Sequence, residues 1–222
     1  MNGIFWLEQT FADVPEADDW LTSNESAGLA KLHIAKRRAD WRLGRWTAKQ
    51  AIAAYLGLPC APRDLLQIEI RPAPSGAPEV YLRDQPAPVE ISLSHRSGIG
   101  LCAITQPGTP LGCDLEFVET RPDNFVEEYF TEEEQNLVSH AAPAVQPHLV
   151  TALWSAKESV LKGLRVGLRA STKSVSICPL RTGGLGWGTF YADTSTRQRF
   201  DGWWREAHHL VRTVAVLRSR QA

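Results

Sequence analysis

The chain has no long apolar run, no paired cysteines and no surplus of either charge, and each shortage removes a class of protein. No stretch of about 18 apolar residues exists to span a bilayer. The N-terminus, Met-Asn-Gly-Ile-Phe-Trp, is followed by acids rather than by a basic segment and a long apolar run, so no signal peptide is expected. The four cysteines, Cys60, Cys102, Cys113 and Cys178, lie far apart and form no C-x-x-C pair. That excludes a zinc knuckle and a disulfide framework as working ideas. Cys102 and Cys113 fall inside apolar strand-like runs, where a thiol behaves as a small hydrophobe. There is no G-x-S-x-G elbow, no P-loop, no G-x-G-x-x-G and no H-E-x-x-H, so hydrolase, nucleotide-kinase, dinucleotide and zinc-protease readings lose their anchors. A reduced, cytoplasmic protein is expected, with no membrane partner.

What is present is an ordinary globular composition, 43% hydrophobic and 22% charged over 222 residues. The net charge of −1 hides an asymmetry. A basic block occupies 31–49 and an acidic one 114–134, a pattern suited to binding an anion on one side and a metal on the other. Within the basic block, Arg38, Arg42, Arg45 and Lys49 share one helical stripe, beside an apolar stripe of Leu32, Ala39, Leu43 and Trp46.

Helical patterning is expected over 28–58 in two segments, stopped by Gly57-Leu58-Pro59. Strands are expected over 1–8, 66–71, 79–82, 89–95 and 98–105, then over 111–116, 174–178, 187–192 and 210–217. Thr131-Glu-Glu-Glu134 is a capping box that starts a helix, and 148–164 forms another. Each half thus runs from helices to antiparallel strands, although no residue-level repeat stands out. An α+β chain of two similar lobes is the expected architecture, with Gln106–Pro110 as the internal boundary.

Three stretches carry chemistry. In Leu111-Gly-Cys-Asp-Leu-Glu116 a strand puts Asp114 and Glu116 on one face, ~7 Å apart. Two acids that close stay ionised cheaply only with a cation between them, and Gly112 leaves room for a close approach. Alone, the pair reads more readily as the solvated face of a strand. In Leu153-Trp-Ser-Ala-Lys-Glu-Ser-Val-Leu-Lys-Gly163, an apolar stripe of Leu149, Leu153, Ala156, Val160 and Leu164 faces away from Trp154, Glu158 and Lys162. Glu158 and Lys162 rise ~6 Å apart and can touch. A large aromatic beside them suits the lining of a cleft better than an exposed salt bridge. Ser94-His95 ends a strand before a turn, where hydroxyl, imidazole and turn amides can hold a phosphate.

Taken in order, these residues resemble the 4′-phosphopantetheinyl transferases, in particular the longer, two-lobed surfactin type. The resemblance rests on Arg38-Ala-Asp-Trp-Arg-Leu-Gly-Arg45, Ile91-Ser-Leu-Ser-His95, Gly112-Cys-Asp-Leu-Glu116, Tyr129-Phe-Thr-Glu132 and Trp154-Ser-Ala-Lys-Glu-Ser159, with Lys162-Gly163 and Gly167-Leu168. It implies two lobes, 1–107 and 108–222, each an antiparallel sheet packed with helices, related by pseudo-two-fold symmetry with the active site between them. It implies transfer of the phosphopantetheine arm of coenzyme A to a serine of an acyl or peptidyl carrier protein, with release of 3′,5′-ADP, by a monomer. By the same resemblance Asp114, Glu116 and Glu158 hold Mg²⁺, Glu158 takes the serine proton and Lys162 neutralises the leaving group. Ser94 and His95 match contacts to the 3′-phosphate, Arg45 and then Arg38 are the further phosphate ligands, and Lys36 and Arg37 are candidates. Lys157 is structural or near the phosphates. Ala77 stands where the family commonly has lysine, which removes one phosphate-facing charge. Two other readings compete: a coenzyme A-binding protein without turnover, and a nucleic-acid binder led by the basic helix. The near-neutral total opposes the second.

Overall fold

The computed structural model describes residues 3–166, 170–181 and 186–218. The chain divides into two units, Met1–Thr109 and Pro110–Ala222, and each is α+β with antiparallel sheets, the class expected. Among the described residues no helix is long and apolar enough to cross a membrane.

In the first unit, β1 (Phe5–Thr10) leads into α1 (Ser23–Ala30) and α2 (Ala35–Leu56). The strands β2 (Ile68–Pro72), β3 (Pro78–Leu82), β4 (Gln85–Pro86), β5 (Glu90–Arg96) and β6 (Ile99–Thr105) follow. They form two sheets, ordered β1-β6-β5 and β2-β3-β4. The helix α2 stops as expected at Gly57, whose φ of 67° is the left-handed conformation that ends helices. Trp20, Trp46, Ile52, Leu65 and Ile104 are buried in its core.

In the second unit, β7 (Leu111–Phe117) is followed by α3 (Phe125–Tyr129), α4 (Glu132–Ser139) and α5 (Gln146–Gly163). The strands β8 (Val175–Arg181), β9 (Gly188–Thr194), β10 (Arg199–Ala207) and β11 (Leu210–Leu217) complete one sheet, ordered β7-β11-β10-β9-β8. The apolar stripe of α5 packs on β7 and β11, with Leu153, Ala156 and Val160 fully buried. The strand β10 escapes the sequence pattern because one of its two buried positions is Gly202. A Cβ there would stand 2.1 Å from the Phe190 ring, so the apolar residue that would mark the strand has no room.

One device recurs in both units. In the first, Thr22 and Glu25 form a capping box on α1, and the free carboxylate oxygen of Glu25 accepts from the Ile70 amide. The same carboxylate pairs with the Lys49 ammonium, which also donates to the carbonyls of Trp20 and Leu65. In the second, Thr131 and Glu134 cap α4, and Glu134 accepts from the Ile177 amide. Lys157 pairs with Glu134 at 2.7 Å and donates to the carbonyls of Thr172 and Val175. Burial pulls both ammonium groups below the usual lysine pKa, and the partner carboxylate partly restores it. The repeat missed in the sequence is therefore real: Trp46-Thr-Ala-Lys-Gln50 in α2 answers Trp154-Ser-Ala-Lys-Glu158 in α5.

Most charges of the basic stripe of α2 make contacts within the first unit. Arg38 donates to the carbonyls of Leu29 and Leu32, at the end of α1. Arg42 pairs with Asp18 and donates to the carbonyls of Pro15 and Glu16. Arg45 lies over Trp41, 3.9 Å from Glu25. Lys49 is fully buried. The apolar partner Leu32 lies before α2 rather than on it.

Two stability predictions follow from this packing. Lys157→Met leaves Glu134 buried without its counter-charge and lowers stability by ~3–5 kcal/mol. Adding Glu134→Gln recovers part of that loss, as read from urea unfolding of both single variants and the double. Gly112→Ala places a Cβ 1.7 Å from the Ser159 carbonyl oxygen and 2.7 Å from the Gly163 nitrogen, both backbone atoms. It lowers stability by at least ~3 kcal/mol, beyond ordinary overpacking; a loss under ~1 kcal/mol would show that strand and helix separate freely.

Candidate active site

The site of the second unit begins at that close approach. On β7, Gly112, Asp114 and Glu116 share one face of the pleat. With no side chain at Gly112 the backbone of α5 lies directly against the strand, at Ser159 and Gly163. Thr213, paired with Asp114 across the β7–β11 ladder, seals the next turn of α5 by donating to the Ser155 carbonyl at 2.8 Å. Asp114 and Glu116 therefore emerge beside the helix, where α5 presents Trp154, Glu158 and Lys162 at successive turns.

The side chains are engaged as follows. Lys162 Nζ donates to Asp114 at 2.7 Å and to the Cys113 carbonyl at 3.0 Å. Glu116 accepts from the Trp154 indole on one oxygen and from Arg121 on the other, each at 3.2 Å. Trp154 packs edge-on against Phe125 and Tyr129 of α3, with ring centroids 5.0 and 5.2 Å away. This explains a large aromatic on the side of α5 away from its apolar stripe: α3 covers it, and its polar edge orients an acid. Arg121 was not found from the sequence, because it lies in an irregular loop with no periodicity to reveal it.

Glu158 is the anomalous group. Burial, then repulsion from Asp114 and Glu116, pushes its pKa up to about 7, against the pull of Lys162. Its Oε1 is buried and has no hydrogen-bond partner among the described residues. Lys162 is shifted the other way: burial disfavours its charge, but Asp114, Cys113 and Glu158 together outweigh that and raise its pKa.

These residues fit a hard divalent cation. The donors are carboxylate oxygens, the set Mg²⁺ prefers, and the unsatisfied Oε1 among like-charged neighbours suits a positive ion. The three acids are not gathered into a cage, since Lys162, Trp154 and Arg121 hold two of them. An ion shared by all three requires Lys162 to release Asp114.

The remaining expected site residues are distributed differently. Lys157 cannot reach a phosphate, because its ammonium is fully buried and bonded to Glu134, Thr172 and Val175. It is structural, one of the two roles considered for it. Ser94 and His95 lie near the end of β5 in the first unit, Ser94 half-buried and His95 exposed. The β5–β6 turn beyond them is tight, with Ser97 and Gly98 at φ 48° and 82°. Arg38 and Arg45 serve the interior of that unit, as described; Lys36 and Arg37 are exposed on the first turn of α2. Ala77 lies in the β2–β3 hairpin loop. Gly167 and Leu168 lie outside the described residues.

Comparison with known proteins bears on the same segment. Residues 110–211 match the family model for ACPS, the 4′-phosphopantetheinyl transferase superfamily. A crystal structure of a holo-(acyl-carrier-protein) synthase from Bacillus anthracis str. Ames, in complex with CoA (3′,5′-ADP), is similar at 22% identity and a TM-score of 0.40. The similarity covers 47% of this chain and 94% of that chain. No curated protein matches the chain. The segment matched by the 4′-phosphopantetheinyl transferase superfamily model is the one that carries Asp114, Glu116, Glu158 and Lys162.

Proposed function

We propose that the protein transfers the 4′-phosphopantetheine group of coenzyme A to a serine of an acyl or peptidyl carrier protein, with Mg²⁺, and releases 3′,5′-ADP. The observation that carries this reading is Glu158, a carboxylate held near pKa 7 between two further acids and a lysine. Burial and repulsion raise that pKa, and the repulsion is what a divalent cation would relieve, leaving Glu158 ionised and able to accept a hydroxyl proton. The superfamily match supplies the reaction class.

In this reading the serine hydroxyl attacks the β-phosphorus of coenzyme A, its proton passes to Glu158, and the bond to the 3′,5′-ADP oxygen breaks. Lys162, whose ammonium stands among the acids of the site, offsets the charge developing on the leaving ADP. Trp154 and Arg121 keep Glu116 from turning away from the site. Mg²⁺ held by Asp114, Glu116 and Glu158 would draw charge from the pyrophosphate. Ser94 and His95, with Lys36 and Arg37 as exposed charges, are the proposed 3′-phosphate ligands of the first unit. The internal engagements of Arg38 and Arg45 make them weaker choices. Cytoplasmic placement and a single working chain belong to the same proposal.

The test is direct. Incubation with coenzyme A, Mg²⁺ and an unmodified carrier adds one phosphopantetheine mass to the carrier, read by mass spectrometry. Glu158→Gln lowers that rate by at least ~10²-fold with the circular dichroism spectrum unchanged. No mass gain on any carrier of a broad panel would leave a coenzyme A-binding protein instead.

A second prediction uses the titration itself. Glu158 binds its proton more tightly folded, near pH 7, than an ordinary carboxyl does unfolded, so the folded state gains from protonation between those values. In chelator, wild-type stability relative to Glu158→Gln therefore falls as pH rises from about 4.5 to 7, and the deficit persists above pH 7. Urea midpoints of the two proteins across this range measure it. A difference independent of pH would remove the strained carboxylate from the account.

A further inference from the structure

A second group of metal-binding side chains lies elsewhere in the second unit, and none of its members belongs to the acid site. His148 stands on the first turn of α5, and Glu206 near the end of β10. His209 is the second residue of the His208-His209 turn that joins β10 to β11. Among the described residues, only His148, Glu206 and His209 bring three such ligand atoms within 4.8 Å of one another.

The arrangement is built rather than incidental. His208 and His209 have φ of 55° and 57°, the doubly left-handed turn that hairpins usually fill with Asn and Gly. That turn is anchored, since the His209 carbonyl accepts from the Val118 amide at 2.8 Å. His148 Nδ1 lies 2.7 Å from Glu206 Oε1, and the rings of His148 and His209 are 5.9 Å apart, tilted at 43°. A His–Glu pair alone would account for the first contact. It gives no reason for a second imidazole to be held beside the first at a backbone conformation that usually belongs to other residues.

We propose that His148, Glu206 and His209 form a second metal site, for a divalent transition metal of the zinc class. Two imidazoles and one carboxylate are a zinc donor set and a poor one for Mg²⁺. Ligand atoms of a tetrahedral zinc stand roughly 3.4 Å apart at bond lengths near 2.1 Å, so small side-chain rotations close the site. The half-buried His148 and Glu206 and the exposed His209 leave the fourth position to solvent. The ion ties the first turn of α5 to the β10–β11 hairpin. Glu158 lies on the same helix, ~15 Å further along its axis, so the two metals occupy separate places.

Calorimetric titration with Zn²⁺ in excess Mg²⁺ tests this on the whole chain. One saturable zinc site per chain and a melting temperature that climbs with added zinc are expected. His209→Asn, which keeps a residue tolerant of the left-handed turn, weakens zinc by more than the ~10–100-fold lost with an outer-shell partner. His208→Asn and Glu158→Gln retain it. Absence of saturable zinc binding would overturn the proposal. So would zinc binding that survives His209→Asn, that fails equally in His208→Asn, or that disappears in Glu158→Gln.

Discussion

The second unit depends on one bare contact, the backbone of β7 against the backbone of α5 at Gly112. A helix and a strand normally stand apart by the length of their side chains. Here a Cβ on the strand would overlap the Ser159 carbonyl, so the two chains touch. This brings Asp114 and Glu116, on the same face of the strand, level with Glu158 and Lys162 on the helix. With an ordinary side chain at 112 the acids would still exist, but at a spacing that lets water between them. Much of the perturbation of Glu158 would then be screened away.

The twin devices separate scaffold from chemistry within one motif. Trp-x-x-Lys occurs in both α2 and α5, and in both the lysine is buried against the glutamate of a capping box. The Lys157 ammonium bridges helix α5 to the segment leading into β8 and to β8 itself, whereas Lys49 reaches the Leu65 carbonyl in the segment leading into β2 and the Trp20 carbonyl ahead of α1. What differs is the residue after it and the residue four beyond that. Glu158 and Lys162 in α5 correspond to Gln50 and Ala54 in α2. The first unit thus keeps the clamp without the acid and the cation. The fold needs only the clamp; the proposed reaction needs what stands beside it.

How far the sequence could be read follows from this division. The acids Asp114, Glu116 and Glu158 and the base Lys162 were legible, because short-range periodicity fixes which residues share a face, and the structure brings those faces together. Most strands were legible to within two residues for the same reason. The roles of Arg38, Arg42, Arg45, Lys49 and Lys157 were not, since a helical wheel shows that charges align but not what they meet. Their partners are mostly backbone carbonyls, which carry no signature in sequence. Gly202 hid β10 by leaving a blank where its pattern required an apolar residue. The histidine cluster was hidden differently: His148 lies 58 residues before Glu206, and only the β10–β11 hairpin returning to α5 brings Glu206 and His209 beside it. The repeat of Trp-Ser/Thr-Ala-Lys was present in the letters all along. It acquires meaning only when both lysines are seen to bind equivalent glutamates.

The site's energetics run against the fold's. A protein selected only for stability would place no half-buried acid beside two others, because each unit of raised pKa is about 1.4 kcal/mol held against folding. The second unit tolerates this because the strain is surrounded by contacts that do not depend on it. Lys157 and Glu134 fix α5 from its buried side, Thr213 and Ser155 join helix to sheet, and Phe125 with Tyr129 hold Trp154 against Glu116. Glu158 can therefore stay unsatisfied without the helix shifting to relieve it. That rigidity suits the proposed cation site: a cation entering it would recover the repulsion the fold has been holding, and the oxygens on offer would set its selectivity.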